Sequence, residues 1–203
     1  MALPNDNKTP KTEAVKAQIE KMGPKDLAAL PDLDQEDFLL IGMLIQCFCF
    51  MDLNLRRALE TFHAAKMLPK AYQKLYPNLP DAKLTEALAA IVQETDPNGE
   101  DIETALTWLQ VIDQTRSHRN LVGHFAAKRY PDHDVYVFAS ISDKDARKVF
   151  GFGLAEHQVH TMVAGRAEFS AMVEAARNAQ LWLAKKVPDW NERYLKPQET
   201  AKR

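Results

Sequence analysis

Residues 116–124 of this chain, which read RSHRNLVGH, carry the side chains best suited to chemistry. They lie in the second half of a helical pattern that runs from about residue 100 to about residue 128. On one helix Asn120 and His124 are i,i+4 neighbours, and Arg119 precedes the histidine by five positions. A guanidinium pairs with phosphate oxygens, and an imidazole can move a proton near neutral pH. These three side chains therefore have the chemistry to cut a phosphodiester bond.

One face of this helix changes from apolar to cationic midway. At ~100° per residue the face consists of Ala105, Leu109, Ile112, Arg116, Arg119, Asn120 and Gly123. Buried charge is costly unless it is paired or used, so the cationic half should look into a cleft or a subunit seam, unless the true register differs. Arg116 is then either a further phosphate ligand or the partner of an acid on another helix. Gly123 leaves room beside His124 for a partner helix or a ligand backbone, and His118 is expected to face outward.

A structural interpretation of Arg119 and His124 competes with this functional one. An arginine on a solvated face needs no further role, and neither does a histidine at a helix C-terminus, where positive charge interacts favourably with the helix dipole. A metal site is less favoured, because His133, His157 and His160 lack the four-ligand spacing of zinc sites. The sequence has no phosphate-cradling glycine loop and no dinucleotide-binding fingerprint. We therefore expect no metal and no cofactor.

The segment RNLVGH resembles the signature of the HEPN superfamily: an arginine, a polar residue directly after it, and a histidine a few positions later, late in a long helix of a small helical bundle. The resemblance covers this motif and a plausible helical layout over about residues 35–185. Many members are metal-independent endoribonucleases that dimerise, so that two motifs face each other across the two-fold axis. The resemblance implies that Arg119 and His124 are catalytic. Together with the cationic face of the helix, it predicts that the substrate is bound by Asn120, Arg116 and Gly123. Other members bind nucleotides or serve as adaptors without cutting.

The expected function is accordingly that of a HEPN-type endoribonuclease in a prokaryotic defence or toxin–antitoxin system. The expected protein is a cytoplasmic homodimer that acts on single-stranded RNA or a nucleotide, with an antitoxin protein as a further partner. The alternative is a non-catalytic HEPN-like module that binds nucleotides or proteins, and a third is a helical bundle with a purely structural role.

The composition limits these functions. With 203 residues and 46% hydrophobic content, the chain can bury a full core, and we expect one domain. A net charge of -2 and a pI of about 6.3 argue against a high-affinity, nonspecific nucleic-acid binder, but not against an enzyme that contacts RNA briefly. The two cysteines, Cys47 and Cys49, would point ~200° apart on a helix. They cannot form a relaxed disulfide together and are typical of a reducing cytosol.

The elements that must position the motif are predicted to be mainly helical. Residues 1–33 are interpreted as a flexible N-terminal arm with weak helix, residues 34–188 as the helical domain, and residues 189–203 as a C-terminal tail. The first major helix should begin at Asp34, and its run from Phe38 to Met51 is apolar almost all round. Such a helix is buried on several sides or shared with a second subunit. With 14 residues this run is shorter than the ~20 needed to span a bilayer, so no membrane segment is expected.

After Pro131 the hydrophobic period changes from that of a helix to that of a strand. Residues 135–141 alternate as a strand and residues 147–154 are interpreted as its returning partner, which gives a hairpin at about 134–154. Residues 158–163 are considered as a third short strand. A last helix from about Arg166 should end at Pro188. The predicted fold class is thus mainly α, a bundle of four to five helices with a small antiparallel β-hairpin inserted before the last helix.

Overall fold

The computed structural model of this protein describes residues 9–95, 102–131, 134–140 and 159–195, together with Ser142, Lys144 and Arg147. In these ranges the elements are, in chain order, α1 (Pro10–Ile19), α2 (Pro24–Ala28), α3 (Gln35–Ala64), α4 (Lys70–Gln73), α5 (Asp81–Thr95), α6 (Ile102–His124), β1 (Ala126–Tyr130), β2 (Val135–Ser140), β3 (His160–Gly165) and α7 (Arg166–Leu195). The described chain is mostly helical, with a small antiparallel sheet inserted before the final helix. The predicted fold class is confirmed.

The chain divides into two compact units. The first unit comprises the residues up to Ile45 and Thr115–Glu174, and the second comprises Gln46–Gln114 and the residues from Ala175 onward. The three helices α3, α6 and α7 each contribute residues to both units. The sheet, α1 and α2 belong to the first unit, whereas α4 and α5 belong to the second. The whole motif, residues 116–124, lies in the first unit.

The sheet has β2 as its central strand, paired antiparallel with β1 on one edge and with β3 on the other. The strand predicted at 135–141 is confirmed as β2, and the third strand weighed at 158–163 is present as β3. Because β1 and β3 occupy both edges of β2, the pairing predicted for a hairpin at about 134–154 is not the one that β2 makes. The predicted returning strand, apart from Arg147, lies outside the described residues.

The two faces of β2 pack against different helices of the first unit. On one face Val135 and Val137 join a hydrophobic cluster with Val15 and Ile19 of α1, so the predicted N-terminal arm supplies core side chains. On the opposite face the rings of Tyr136 and Phe138 lie with their centroids 5.5 and 6.2 Å from that of Phe169 on α7. Successive side chains of a strand point to opposite faces, so the burial of all four residues from Val135 to Phe138 means that both faces of β2 are buried.

The motif helix ends earlier than predicted, at His124 instead of near Lys128. A single residue, Phe125, separates it from β1, whose residues pair with β2 from Ala126↔Ala139 to Tyr130↔Val135. The sequence AAKRY is rich in good helix formers, and this local preference extended the predicted helix. Backbone pairing with a buried strand outweighs such a preference, which is a weak one.

The last helix ends later than predicted, because α7 continues through Pro188 to Leu195. A proline inside a helix costs about 3 kcal/mol relative to alanine. Packing beyond it explains the continuation: the ring of Trp190 lies 5.4 Å from that of Phe62 and 6.2 Å from that of Trp182 in the second unit. Thr61 also donates a hydrogen bond to Asn191. Residues 189–195 are therefore part of the fold and not of the predicted tail.

Candidate functional site

The motif residues Arg119, Asn120 and His124 occupy the last two turns of α6. Arg119 and Asn120 are half-buried, and the Nη1 atom of Arg119 donates to Oδ1 of Asn120 over 3.3 Å. His124 is the last residue of the helix, is also half-buried, and follows Asn120 by one turn. Residues with this spacing have Cβ atoms about 5–6 Å apart. The guanidinium, the amide and the imidazole are thus carried on neighbouring turns, each residue partly open to solvent.

The buried face of α6 differs from the predicted stripe in the first unit. The second unit buries the predicted residues Ala105, Leu109 and Ile112. The first unit buries Thr115, His118, Leu121 and, directly after the helix, Phe125. The buried residues of the first unit follow one another at intervals of three, and each interval rotates the buried face around the helix by ~60°. Arg116, Arg119 and Asn120 therefore lie at the border of this face and are half-buried.

His118 was therefore predicted wrongly to face outward, since only 4% of it is exposed. The cause is the shift of the buried face around α6 between the second and the first unit. The same shift moves Arg116 and Arg119 from the predicted buried stripe to the border of the core, where both residues are partly open to water. The Nε and Nη2 atoms of Arg116 are nevertheless buried, so part of this guanidinium is removed from solvent.

Gly123 and Arg116 complete the predicted substrate-binding set. Gly123 is exposed, and a Cβ atom built on it would lie 3.8 Å from Nη1 of Arg119, an ordinary van der Waals contact. The space that this glycine leaves open therefore borders the Arg119 guanidinium. Arg116 is half-buried and precedes Asn120 by one helical turn.

A second polar cluster, which was not predicted from the sequence, surrounds the carboxylate of Asp37 in the first unit. Asp37 is 0% exposed, and its Oδ1 atom accepts a hydrogen bond of 2.7 Å from the hydroxyl of Tyr136. The Nε atoms of Arg129 and Arg166 lie 3.4 and 3.5 Å from the two oxygens of the same carboxylate. Residues of α3, β1, β2 and α7 thus meet at one buried negative charge.

Further carboxylates lie around the two guanidinium groups, nearer the surface. Arg129 pairs with Asp34 over 2.7 Å, and Arg166 pairs with Glu36 over 2.6 Å. Asp34 and Asp37 also cap the start of α3 reciprocally, since each carboxylate accepts the backbone N–H of the other over 2.9 and 3.0 Å. A charge without solvent is tolerated when it is paired and hydrogen-bonded, and Asp37 meets both conditions.

The pKa values in this cluster reflect the same contacts. Burial, and then the hydrogen bond to Asp37, raise the pKa of Tyr136 far above its ordinary value. The hydrogen bond to Glu36 raises the pKa of Arg166, and the backbone N–H of Asp37 lowers the pKa of Asp34. Because folding lowers the pKa of Asp34, the ionised carboxylate stabilises the folded state at pH values above the ordinary pKa of an aspartate. That contribution is lost as the pH falls through the lowered value.

The Asp37 cluster is a structural anchor, because its groups are committed to one another. Arg129 lies on β1 five residues after His124, so the anchor holds the strand that directly follows the motif helix. One signal in the sequence pointed toward it: Asp34 and Asp37 have the spacing of an N-terminal capping box. That spacing locates the start of α3 but does not indicate that Asp37 is buried.

The helix α3 exposes large apolar side chains along one side. They are Phe38, Leu39, Met43 and Ile45 in the first unit and Phe50 and Leu53 in the second. The opposite side of the helix is buried, by Leu44 in the first unit and by Phe48, Met51 and Leu55 in the second. An exposed apolar surface such as the one formed by Phe38, Leu39, Met43 and Ile45 in the first unit marks a site of interaction with a protein or a membrane.

By length and composition α3 could also cross a membrane, and within the described ranges it is the one helix that could. The most apolar window of 18 residues has a mean hydropathy of 1.9, and 28% of that window is buried. The sequence-based count of 14 residues covered only the uncharged run from Phe38 to Met51, whereas the helix itself has 30 residues. A bilayer and a protein partner are therefore the two candidates for covering its exposed side.

Among the residues that the structure describes, no group of three or more His, Cys, Asp or Glu side chains could hold a metal ion. Of the histidines weighed as metal ligands, His160 is buried on β3, while His133 and His157 lie outside the described residues. Comparison of the chain with protein-family models, with curated proteins and with solved structures gives no match. The case for a function therefore depends on the residues themselves.

Proposed function

We propose that this protein is a metal-independent endoribonuclease of HEPN type that cuts single-stranded RNA in a prokaryotic defence or toxin–antitoxin system. The observation that carries the proposal is the placement of Arg119, Asn120 and His124 in the last two turns of one helix. Each of them is partly open to solvent, and the guanidinium contacts the amide. A guanidinium and an imidazole on neighbouring turns of one helix are the two groups that phosphodiester cleavage needs in the absence of a metal.

In the proposed reaction the 2′-hydroxyl of the RNA attacks the adjacent phosphorus, and the bond from phosphorus to the 5′-oxygen breaks. His124 takes the proton of the 2′-hydroxyl or gives one to the leaving oxygen. Arg119 neutralises the additional negative charge that the phosphorus oxygens carry in the transition state. Asn120 holds the Arg119 guanidinium in place through its side-chain oxygen, and Arg116 offers a second cation to the RNA backbone. The products are a 2′,3′-cyclic phosphate and a free 5′-hydroxyl.

This mechanism predicts how cleavage responds to a chelator, which end group it leaves, and whether DNA is cut. Cleavage should continue in EDTA, leave a 2′,3′-cyclic phosphate, and spare DNA, which lacks the attacking hydroxyl. Labelled oligonucleotides of matched RNA and DNA sequence test all three points. A need for magnesium or manganese, or equal cutting of DNA, would contradict the proposal even if Arg119 and His124 proved essential.

The proposed active form is a homodimer in which a second copy covers the exposed side of α3. The support is the row of large apolar side chains that this helix leaves in contact with water. A two-fold dimer would also supply a second motif, so that two arginines and two histidines can serve one RNA strand. Light scattering at micromolar concentration should therefore give twice the 23.0 kDa mass of the chain. A monomer under these conditions would remove the composite site and weaken the case for cleavage.

A second candidate function is that of a non-catalytic module that binds a protein partner, such as an antitoxin. The exposed side of α3 favours it, because such a surface serves an adaptor as well as it serves a dimer. The discriminating observation is activity on a varied set of single-stranded RNAs. If the wild-type dimer cuts none of them, the adaptor is the better assignment.

A further inference from the structure

Gly42 lies within the exposed apolar side of α3, at a position where this chain makes no use of a glycine. Apart from the two adjacent residues and the nearby backbone of α3 itself, no described atom lies within 4 Å of the place that a Cβ atom would occupy. The residue is inside a regular helix of 30 residues, where glycine is less favourable than alanine. Any small side chain would fit here in the isolated chain. The absence of a side chain therefore points to something that approaches the helix from outside.

The neighbours of Gly42 on the helix are large, apolar and exposed. Phe38 and Leu39 precede it by one turn and are 62% and 65% exposed, and Ile45 follows it at a spacing of three residues. Residues at these spacings are neighbours on the surface of a helix. The first unit thus presents a dent at Gly42 bordered by protruding side chains, so one surface carries both a knob and a hole.

We propose that Gly42 is the point at which α3 packs against α3 of a second copy of this chain. This inference rests on the proposed homodimer and names its contact. A two-fold interface requires a self-complementary surface, and the knobs of one copy can enter the hole of the other. A glycine at the crossing lets the two helix backbones approach closely, at the short end of the ~8–10 Å range of helix packing.

The charge pattern of α3 also fits a second copy. From Phe38 to Met51 the helix carries no charged residue, and the flanking acids are Asp37 and Asp52. Asp37 is buried in its own ion pairs, and Asp52 pairs with Arg56 over 3.0 Å. Two copies crossing at Gly42 would therefore bring no uncompensated like charges together. Between Phe38 and Met51 a strongly charged partner would find no counter-charge on the helix.

The test uses two substitutions with opposite expected effects on the monomer and the dimer. Gly42→Ala and Gly42→Leu should leave the thermal midpoint of the dilute monomer unchanged or raise it, because the helix gains a better helix former. The dimer dissociation constant should rise on the order of 10- to 100-fold for the leucine variant, since the added side chain overfills the crossing. Dilution series by sedimentation velocity measure that constant. Ala82→Leu, which adds a leucine at an exposed position of α5, is the matched control and should leave the dimer unchanged.

Three outcomes would overturn the inference. The first is a monomeric wild type, and the second is a Gly42→Leu dimer that is as tight as that of the wild type. The third is a protein that forms no dimer but binds phosphatidylcholine–phosphatidylglycerol vesicles through α3, equally well with and without Gly42→Leu. The proposed ribonuclease is tested separately by cleavage. A wild type that dimerises through Gly42 but cuts no RNA keeps this inference and removes the enzyme. An active protein whose dimer is unaffected by substitution of Gly42 keeps the enzyme and removes this inference.

Discussion

Alanine in place of His124 or of Arg119 is expected to lower the rate of RNA cleavage by about 10²–10⁴-fold. His124→Ala removes the group that moves the proton, and Arg119→Ala removes the charge that stabilises the transition state. Both residues are half-buried at the border of the core, so their truncation should leave the fold and the dimer intact. The measurement is the initial rate on a single-stranded RNA, with circular dichroism and light scattering on the same preparations.

Matched controls separate a role in catalysis from the loss of any histidine or arginine. His63→Ala and Arg177→Ala remove the same side-chain types from exposed positions in the second unit and should cut RNA as the wild type does. Two results would count against the catalytic assignment. One is unchanged cleavage in the motif variants, and the other is a large drop in their melting temperatures, which would show that Arg119 and His124 hold the fold together.

Asp37→Ala is expected to destabilise the protein by about 3–5 kcal/mol, the usual cost of removing one partner from a buried ion pair. The substitution leaves the Tyr136 hydroxyl without its acceptor and takes the central carboxylate from between Arg129 and Arg166. For a chain of this length a loss of that size lowers the melting temperature by on the order of 10 °C. Thermal and urea unfolding measure it.

Asp32→Ala is the control for this prediction, because Asp32 also forms an ion pair with a residue of β1 but does so in solvent. It pairs with Lys128 over 2.6 Å and is 88% exposed at its side chain. An exposed pair contributes about 0–1 kcal/mol, so the control should melt close to the wild type. Equal losses in the two variants would show that the Asp37 cluster does not anchor the sheet.

The parts of the fold that follow from hydrophobic periodicity could be predicted from the sequence. The strand β2 alternates from Val135 onward, and the start of α3 has acidic residues in its first turn. The motif residues were placed correctly on one helix, and Arg119 does contact Asn120. In each of these cases the local pattern and the tertiary environment favour the same structure.

The predictions failed where tertiary contacts outweigh local preference. β1 has a helix-forming sequence and becomes a strand because it pairs with β2. Pro188 stays inside α7 because Trp190 is packed beyond it. The burial of His118 depends on which neighbours α6 meets in the first unit, and that information is not contained in the spacing of its own residues. Asp37 was missed for the same reason, since its partners lie about a hundred residues away in sequence.

The junction at Phe125 decides how the motif can respond to a ligand. His124 ends a helix and Ala126 begins a paired strand, so the imidazole is attached to a backbone with no loop on either side. The conformational entropy of this backbone is lost when the protein folds and does not have to be lost again on binding. The backbone that carries the motif is therefore fixed before any ligand binds. If RNA is bound here, the RNA must do the bending, which unpaired strands do readily and duplexes do not.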